Sequence, residues 1–495
     1  MNDPLSVVCI GAGPAGLTAG YVLGRGGIRV TVLEQDPHYV GGISRTETYK
    51  GFAFDIGGHR FFSKSDEIEA LWDEILDEGF LERPRKSRIY YKRALFDYPL
   101  RAADALSKLG VVEAARCVAS YLRARLRPNP SPRNFEEWVT NQFGRRLFEI
   151  FFRTYTEKVW GMACRDISAD WAAQRIKGLS LGKAIWHALR PQSSRRPRGQ
   201  VIKTLIDRFR YPRRGPGMLW EAAARKVEAM GGQVLMGRRV CALKRLDGGR
   251  WRVTACDQQG RTHDFVCDHV ISSMPMRDLA PIVTPPLPPA VLAAARELRY
   301  RDFLVVALIL KNEGLFDDNW IYIHDPDVQV GRIQNFKSWS PDMVPLPGHA
   351  CYGLEYFCFE HDSLWRMPDA DLVALATDEL VRLGLARPED ILDGAVVRQP
   401  KAYPIYDDGY QARVAAIRTA LDAACPGLHL VGRNGMHRYN NQDHAMMTAI
   451  LVARNILAGQ ALYDAWKVNQ DAEYHEETRQ PPDQPAAAPE LALAG

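Results

Sequence analysis

Gly11, Gly13 and Gly16 stand in a G-x-G-x-x-G pattern directly after the apolar run Ser6–Ile10, and Glu34 ends a second apolar run, Ile28–Leu33, about twenty residues on. In this spacing each residue has a task. Gly11 permits a tight turn, and Gly13 lets a pyrophosphate approach the free N–H groups of a helix N-terminus. Gly16 lets that helix pack on its strand, and Glu34 is placed to accept ribose hydroxyls. A glycine-rich turn that binds nothing is the plainer alternative. Against it, strand, turn, helix, strand and acid all occur in the order a dinucleotide site requires.

The next segment decides between NAD and FAD. Gly41-Gly42-Ile43-Ser44-Arg45-Thr46 comes soon after Glu34, and Phe54-Asp55-Ile56-Gly57-Gly58-His59 follows. A second glycine turn with Gly42 and Arg45, then a third pair, Gly57 and Gly58, suit the longer path of FAD from adenosine to ring. FAD also predicts one more segment late in the chain. The strand Leu428–Val431, then Gly432-Arg433-Asn434-Gly435, then Asn441, Gln442 and Asp443 opening a helix over Ala445–Leu457 supply it. That helix N-terminus can face the electron-rich edge of a flavin, with Asn441 or Asp443 capping it; capping alone is the plainer role for both.

The elements that must position these residues are spread along the chain. The fold expected is α/β: a discontinuous Rossmann-like FAD-binding domain of the glutathione-reductase type, with a helical insert and an added antiparallel sheet. Residues 1–98, 217–290 and 395–460 form its pieces, 99–216 a mainly helical substrate or cap insert, and 291–394 a sheet-containing substrate domain. Residues 470–495, polar and then Pro/Ala-rich, read as a disordered tail.

The 495 residues are 46% hydrophobic and 25% charged, with a formal net charge of +5. Those values exclude a disordered or collagen-like chain and give no argument for nucleic acid. Nine cysteines, an odd set without C-x-x-C, read as reduced core thiols, with neither a disulfide framework nor a metal site. No basic leader precedes the apolar start and no later run reaches the roughly 18 apolar residues of a membrane span, so a cytoplasmic protein is expected. Oligomeric state is left open. The charge is uneven: residues 186–216 carry nine Lys/Arg against Asp207 alone. That segment reads as a solvated loop, a peripheral contact with an anionic membrane, or a means of steering an anionic substrate.

The motifs GGISRT, FDIGGHRFFSK, SRIYYKRALFDYPL, FFRTYTEKVWG, WIYIHDPDVQVGRIQNF, KAYPIY and GRNGMHRYNNQDH together resemble the UDP-galactopyranose mutases, from about residue 5 to residue 460. These belong to a wider flavoprotein group that includes amine oxidases and protoporphyrinogen oxidase. The resemblance implies a redox-neutral reaction. Reduced flavin acts as nucleophile towards the anomeric carbon of a nucleotide-activated pyranose, the nucleoside diphosphate leaves and returns, and the sugar recloses as a furanose. NAD(P)H is a candidate reductant.

By the same resemblance Arg175, on a helix over Ala169–Ile176, and Arg332, on a mobile loop, pair with the diphosphate; a planar guanidinium binds phosphate bidentately and stays charged. A surface ion pair and a solvated loop arginine are the plainer readings of the two. Tyr322, Tyr403 and Tyr439 match phosphate-binding tyrosines, which otherwise read as core. Phe151, Tyr155, Thr156 and Trp160, placed on roughly one helix face by their spacing, match a uracil pocket, and Tyr98 joins it; an aromatic helix face is otherwise core. His59 matches a histidine beside the flavin, or else is a buried structural one. Arg101 stands where the eukaryotic branch has glutamine, which leaves the nucleobase open. The alternative function is a true FAD-dependent oxidoreductase on the same scaffold, an amine oxidase, desaturase or protoporphyrinogen-oxidase-like enzyme. A non-catalytic flavin-stabilised partner of a glycan or lipid assembly is a third reading.

Overall fold

In a computed structural model, the structure describes residues 5–77, 79–98, 102–167, 169, 207–311 and 315–468. Arg101, Arg175, residues 186–206 of the basic segment and the tail 470–495 lie outside the described residues.

The strand Ser6–Ile10 is apolar at every position but the first because it is covered on both sides. Val7 and Cys9 enter one core and Val8 and Ile10 another, as the two-residue period of a strand requires. Arg29–Leu33 and His269–Ser272 flank it in parallel, and Gln233–Leu235 and Leu428–Leu430 close the edges of this five-stranded sheet. The helices Pro14–Arg25, Gly217–Ala229 and Gln442–Ala458 pack together over one face.

A seven-stranded sheet forms the second layer, in the order Ile391–Pro404, Tyr300–Lys311, His349–Cys358, Arg332–Asn335, Trp320–Ile323, Ser87–Tyr91, Ala94–Asp97. Every pairing is antiparallel except that of Trp320–Ile323 with Ser87–Tyr91. Its second strand in that order, Tyr300–Lys311, is buried from Tyr300 to Leu310. Phe303, Val305, Ala307 and Ile309 face the core shared with the helical insert, and Leu304, Val306, Leu308 and Leu310 face the helix Asp369–Arg382. Each fully buried aliphatic side chain of this kind contributes about 1.5–3 kcal/mol of burial.

The pairings move two boundaries. Residues 87–97 and 391–404 belong to the large antiparallel sheet, so the nucleotide-binding pieces end before Ser87 and resume after Pro404, rather than at 98 and 395. Ile89 and Tyr90 pack into the two cores that flank that sheet, one on each face.

The basic segment is also corrected at its end. Arg208–Pro212 is a strand paired with Phe80–Pro84, with Phe209 and Tyr211 buried. Three cations here have acidic partners: Arg208 pairs with Glu82 at 3.2 Å, Arg210 with Glu69 at 3.1 Å and with Asp73, and Arg213, just after the strand, with Asp342 at 3.2 Å. This part is a paired strand, and the exposed Arg214 beside it has no ion-pair partner among the described residues. Among the described residues the cysteines are unbridged, no group of His, Cys, Asp and Glu could hold a metal ion, and no helix is long and apolar enough to cross a membrane.

Candidate active site

A cavity of about 1380 Å³ lies between the two large sheets. That exceeds the roughly 300–1,000 Å³ typical of a pocket for one drug-sized ligand. Its lining falls into two groups. Gly11, Gly13, Glu34, Gly42, Gly57, Gly58, Gly432, Arg433, Asn441 and Gln442 form one; His59, Tyr98, Tyr155, Trp160, Tyr322, Arg332, Tyr403 and Tyr439 form the other.

The first group is built by backbone geometry. Gly11 has φ +95°, and a Cβ at Gly16 would come within 1.8 Å of the Gly11 carbonyl oxygen, so the turn and the helix it feeds accept nothing larger. Gly13 is the N-cap of the helix and no side chain caps it. A Cβ there would meet only the Gly42 backbone, Cα and N at 3.9 Å, so the protein leaves the space before those N–H groups open. The Glu34 carboxylate accepts the Ala12 N–H at 2.6 Å and the Asp36 N–H at 2.9 Å. Burial pushes its carboxyl upward against those two donors. A carboxylate has about four acceptor positions, so two remain for a ribose.

At the other end of the chain, Asn441 caps the helix Gln442–Ala458, and its N–H donates to His444 Nδ1 at 3.3 Å. The helix therefore starts three residues before the expected Ala445. Among the residues that line the cavity, Trp320 Nε1, Asn434 Oδ1, His437 Nδ1 and Gln442 Oε1 are buried without a hydrogen-bond partner. Orphaned donors and acceptors of this kind cost about 1–3 kcal/mol each unless a ligand or water meets them. The open helix N-terminus and these atoms fit a dinucleotide flavin lying along both segments. Arg45 is placed differently: Glu47 and Gln399 hold its guanidinium at 2.7 Å each, and it lines a smaller neighbouring cavity of about 410 Å³. Gly16 acts through helix packing and lines neither cavity.

The second group is cationic and aromatic. Arg332 does not sit on a mobile loop. It begins the strand Arg332–Asn335, bonded on both sides to Trp320–Ile323 and His349–Cys358, and is 8% exposed. Directly across the strands its Nε contacts Glu355, a carboxylate with no exposed surface, and its Nη2 donates to the Tyr403 hydroxyl at 3.1 Å. Burial opposes the arginine's charge, but Glu355 together with Tyr403 and Tyr155 outweighs it and holds the guanidinium well above its ordinary range. Two guanidinium groups lie over the Trp320 ring, Arg332 at 4.8 Å and Arg60 at 5.5 Å from its centroid.

Tyrosines surround this pair. Tyr322 packs on Tyr98 at 4.8 Å, on Tyr155 at 5.5 Å and on Trp320 at 5.6 Å. Tyr403 stacks on Tyr439 at 5.6 Å, and Arg433 covers both rings. Burial raises the Tyr155, Tyr322 and Tyr403 hydroxyls, so all three stay neutral donors. Burial, with Arg433 and Arg332 nearby, pulls His59 down to about 3. His59 is thus a neutral imidazole. Its Nδ1–H donates to the Gly57 carbonyl at 3.1 Å, which leaves Nε2 as the acceptor.

The helix face expected from residues 151 to 160 is brought together only in part. Glu149–Arg153 is a π-helical turn, which rotates everything after it relative to an α-helix. Tyr155 and Trp160 reach the cavity, whereas Phe151 packs against Phe96 at 5.3 Å in the core and Thr156 is buried away from the cavity. Two side chains tie this helix to the sheet. The Arg301 guanidinium donates to the carbonyls of Lys158 at 3.2 Å and Val159 at 3.1 Å at the helix C-terminus. The Lys158 ammonium donates to Asp325 and Val330 carbonyls on the segment between Tyr322 and Arg332.

Arg60, Arg85 and Trp320 were not singled out from sequence, yet all three line the cavity. Arg60 follows His59 directly, and its Nη2 donates to Ser87 at 2.8 Å. Arg85 lies 5.7 Å over the Tyr98 ring. Trp320 carried a usable signal: it is two residues from Tyr322 on one strand and so shares its face.

The likeness to known proteins agrees with this geometry. A solved structure of reduced UDP-galactopyranose mutase is 24% identical, with 94% of this chain and 98% of that one covered at a TM-score of 0.79. Wild-type putrescine oxidase bound to putrescine is 17% identical, with 92% and 100% covered and a TM-score of 0.57. At these identities the likeness is one of fold. A dTDP-fucopyranose mutase of Escherichia coli is 25% identical over 172 residues, 33% of this chain and 44% of that protein. The chain spans less than half the length of the curated relatives it matches. A family model described as flavin containing amine oxidoreductase matches residues 14–457. The chain belongs to the flavin-containing amine oxidoreductases, and FAD is its cofactor.

Proposed function

We propose that the protein is a flavin-dependent mutase that interconverts the pyranose and furanose forms of a nucleotide sugar. The observation that carries this reading is the inner wall of the cavity, where Arg60, Arg85, Arg332 and Arg433 stand among neutral tyrosines. Such a wall suits a diphosphate and repels an ammonium substrate. FAD, when bound, supplies a reduced ring that can act as nucleophile, and a redox-neutral cycle returns it unchanged.

The residues divide the remaining work. Arg332, with Arg175 as its expected counterpart, stabilises charge on the departing diphosphate, and Tyr322, Tyr403 and Tyr439 add neutral hydrogen bonds. Tyr155, Trp160 and Tyr98 receive the base. His59, neutral with Nε2 open, can accept a hydrogen bond beside the flavin without adding charge. The likeness to two mutases by name supports the reading. The Glu355 carboxylate favours the alternative, an oxidoreductase, because it cancels part of the Arg332 charge an anion would use.

An anaerobic panel of UDP-, dTDP- and GDP-pyranoses with dithionite-reduced protein tests the proposal. A furanose product formed with no net use of reductant is expected. Turnover only with oxidised flavin and an external electron acceptor overturns it.

A further inference from the structure

The helix Val111–Leu126 turns an apolar stripe to solvent. Its buried contacts come from Cys117 and Tyr121, whereas Val111, Val112, Leu122 and Leu126 are 87%, 68%, 54% and 82% exposed. With 3.6 residues per turn, these four, together with Ala115 and Ala119, fall within about 100° of the helix circumference. Arg116, Arg123 and Arg127 follow on one flank of the stripe and Arg125 on the other, all exposed. The carboxylate nearest them, Glu113, contacts Arg116 at 3.6 Å but is held more closely by Arg146. Arg123 and Arg127 have no ion-pair partner among the described residues. A helix on a globular surface ordinarily shows the reverse, with polar residues outward.

We infer that this face docks on an anionic lipid surface. A second copy of the chain suits it poorly. The stripe is about 24 Å long and about 10 Å wide, roughly 240 Å², against about 800 Å² per partner in a stable interface, and a two-fold contact sets arginines against arginines. The chain's own segment 170–206 is itself strongly basic and meets the same repulsion. An anionic bilayer satisfies both features: the aliphatic side chains enter the acyl boundary, and the arginines meet the anionic headgroups. The inference does not depend on which reaction the flavin site performs.

The test is co-sedimentation of the full-length, flavin-loaded protein with vesicles of phosphatidylcholine, alone or mixed with phosphatidylglycerol. Binding only to the anionic vesicles, weakened by salt, is expected. Leu122→Glu/Leu126→Glu and Arg123→Glu/Arg127→Glu should each lower it by about tenfold, with flavin content unchanged. Removing residues 186–206 should leave most of the binding in place. Failure of the unaltered protein to bind anionic vesicles overturns the inference, as does binding that survives both paired substitutions. A dimer in solution that the leucine substitutions dissociate, without vesicle binding, assigns the face to a second copy instead.

Discussion

Arg332→Met isolates what the buried arginine does. In the native protein Glu355 has no exposed surface and its partners are Arg332 and the Gln334 side-chain amide, which donates at 2.6 Å. Taking away the guanidinium strands that carboxylate among Trp320, Phe303 and Phe357, the rings that surround the arginine. Breaking a buried pair in this way costs about 3–5 kcal/mol, while replacing both partners with apolar residues is near neutral. Urea unfolding of the flavin-loaded protein should therefore show Arg332→Met losing about 3–5 kcal/mol, and Arg332→Met/Glu355→Leu recovering most of it. Binding should not recover. Titration of the double variant with UDP should show affinity lower by at least about 1–3 kcal/mol, the worth of a lost charge-assisted contact. A double variant that binds UDP as tightly as the native protein refutes the phosphate role. A single variant destabilised by less than about 1 kcal/mol refutes the buried pair.

Gly16→Ala forces a Cβ to within 1.8 Å of the Gly11 carbonyl oxygen, so purified protein should lose its visible flavin absorbance; full retention would contradict the packing described. Phe151→Ala should cost about 3–5 kcal/mol of stability with little change in nucleotide affinity, whereas Tyr155→Ala should weaken nucleotide binding by about 1–3 kcal/mol. Equal effects on binding would place both residues at the base. Asp55, fully buried, accepts from Tyr211 and from Thr46 at 3.0 Å, and burial raises its carboxyl from 3.8 to about 7. The folded state then holds the proton more tightly than the unfolded chain, so this group's contribution is greatest below about pH 4, falls as pH rises to about 7, and amounts to about 4 kcal/mol. Asp55→Asn should flatten that part of the stability–pH curve, and an unchanged slope would show the carboxyl is not responsible.

The glycine turns, Glu34 and the late helix were legible in sequence because backbone constraints leave residue types in fixed local order. So was the aromatic and cationic character of the second group. What was hidden depends on partners remote along the chain. Glu355 meets Arg332 only through strand register, and no local pattern announces it. Arg45 is drawn off by Gln399 from a strand more than three hundred residues away. The π turn at 149–153 changes which of Phe151, Tyr155 and Thr156 reaches the cavity, and spacing arguments that assume 3.6 residues per turn cannot see it. Arg208–Pro212 shows the same limit: a run rich in cations becomes a paired strand once Glu69, Asp73, Glu82 and Asp342 arrive from elsewhere.

The five-stranded sheet also constrains how the protein is made. Ser6–Ile10 is synthesised more than 250 residues before its neighbour His269–Ser272, and Leu428–Leu430 comes later still. Parallel pairing across such distances is slow, and until it occurs one of the most apolar strands has an unpaired edge. Gly13 and Gln442 reach the same cavity only when the segments that carry them, more than 400 residues apart, have both emerged. Cofactor capture is therefore a late event in biogenesis, and in cells short of riboflavin the earliest casualty should be the newly made chain rather than the mature enzyme.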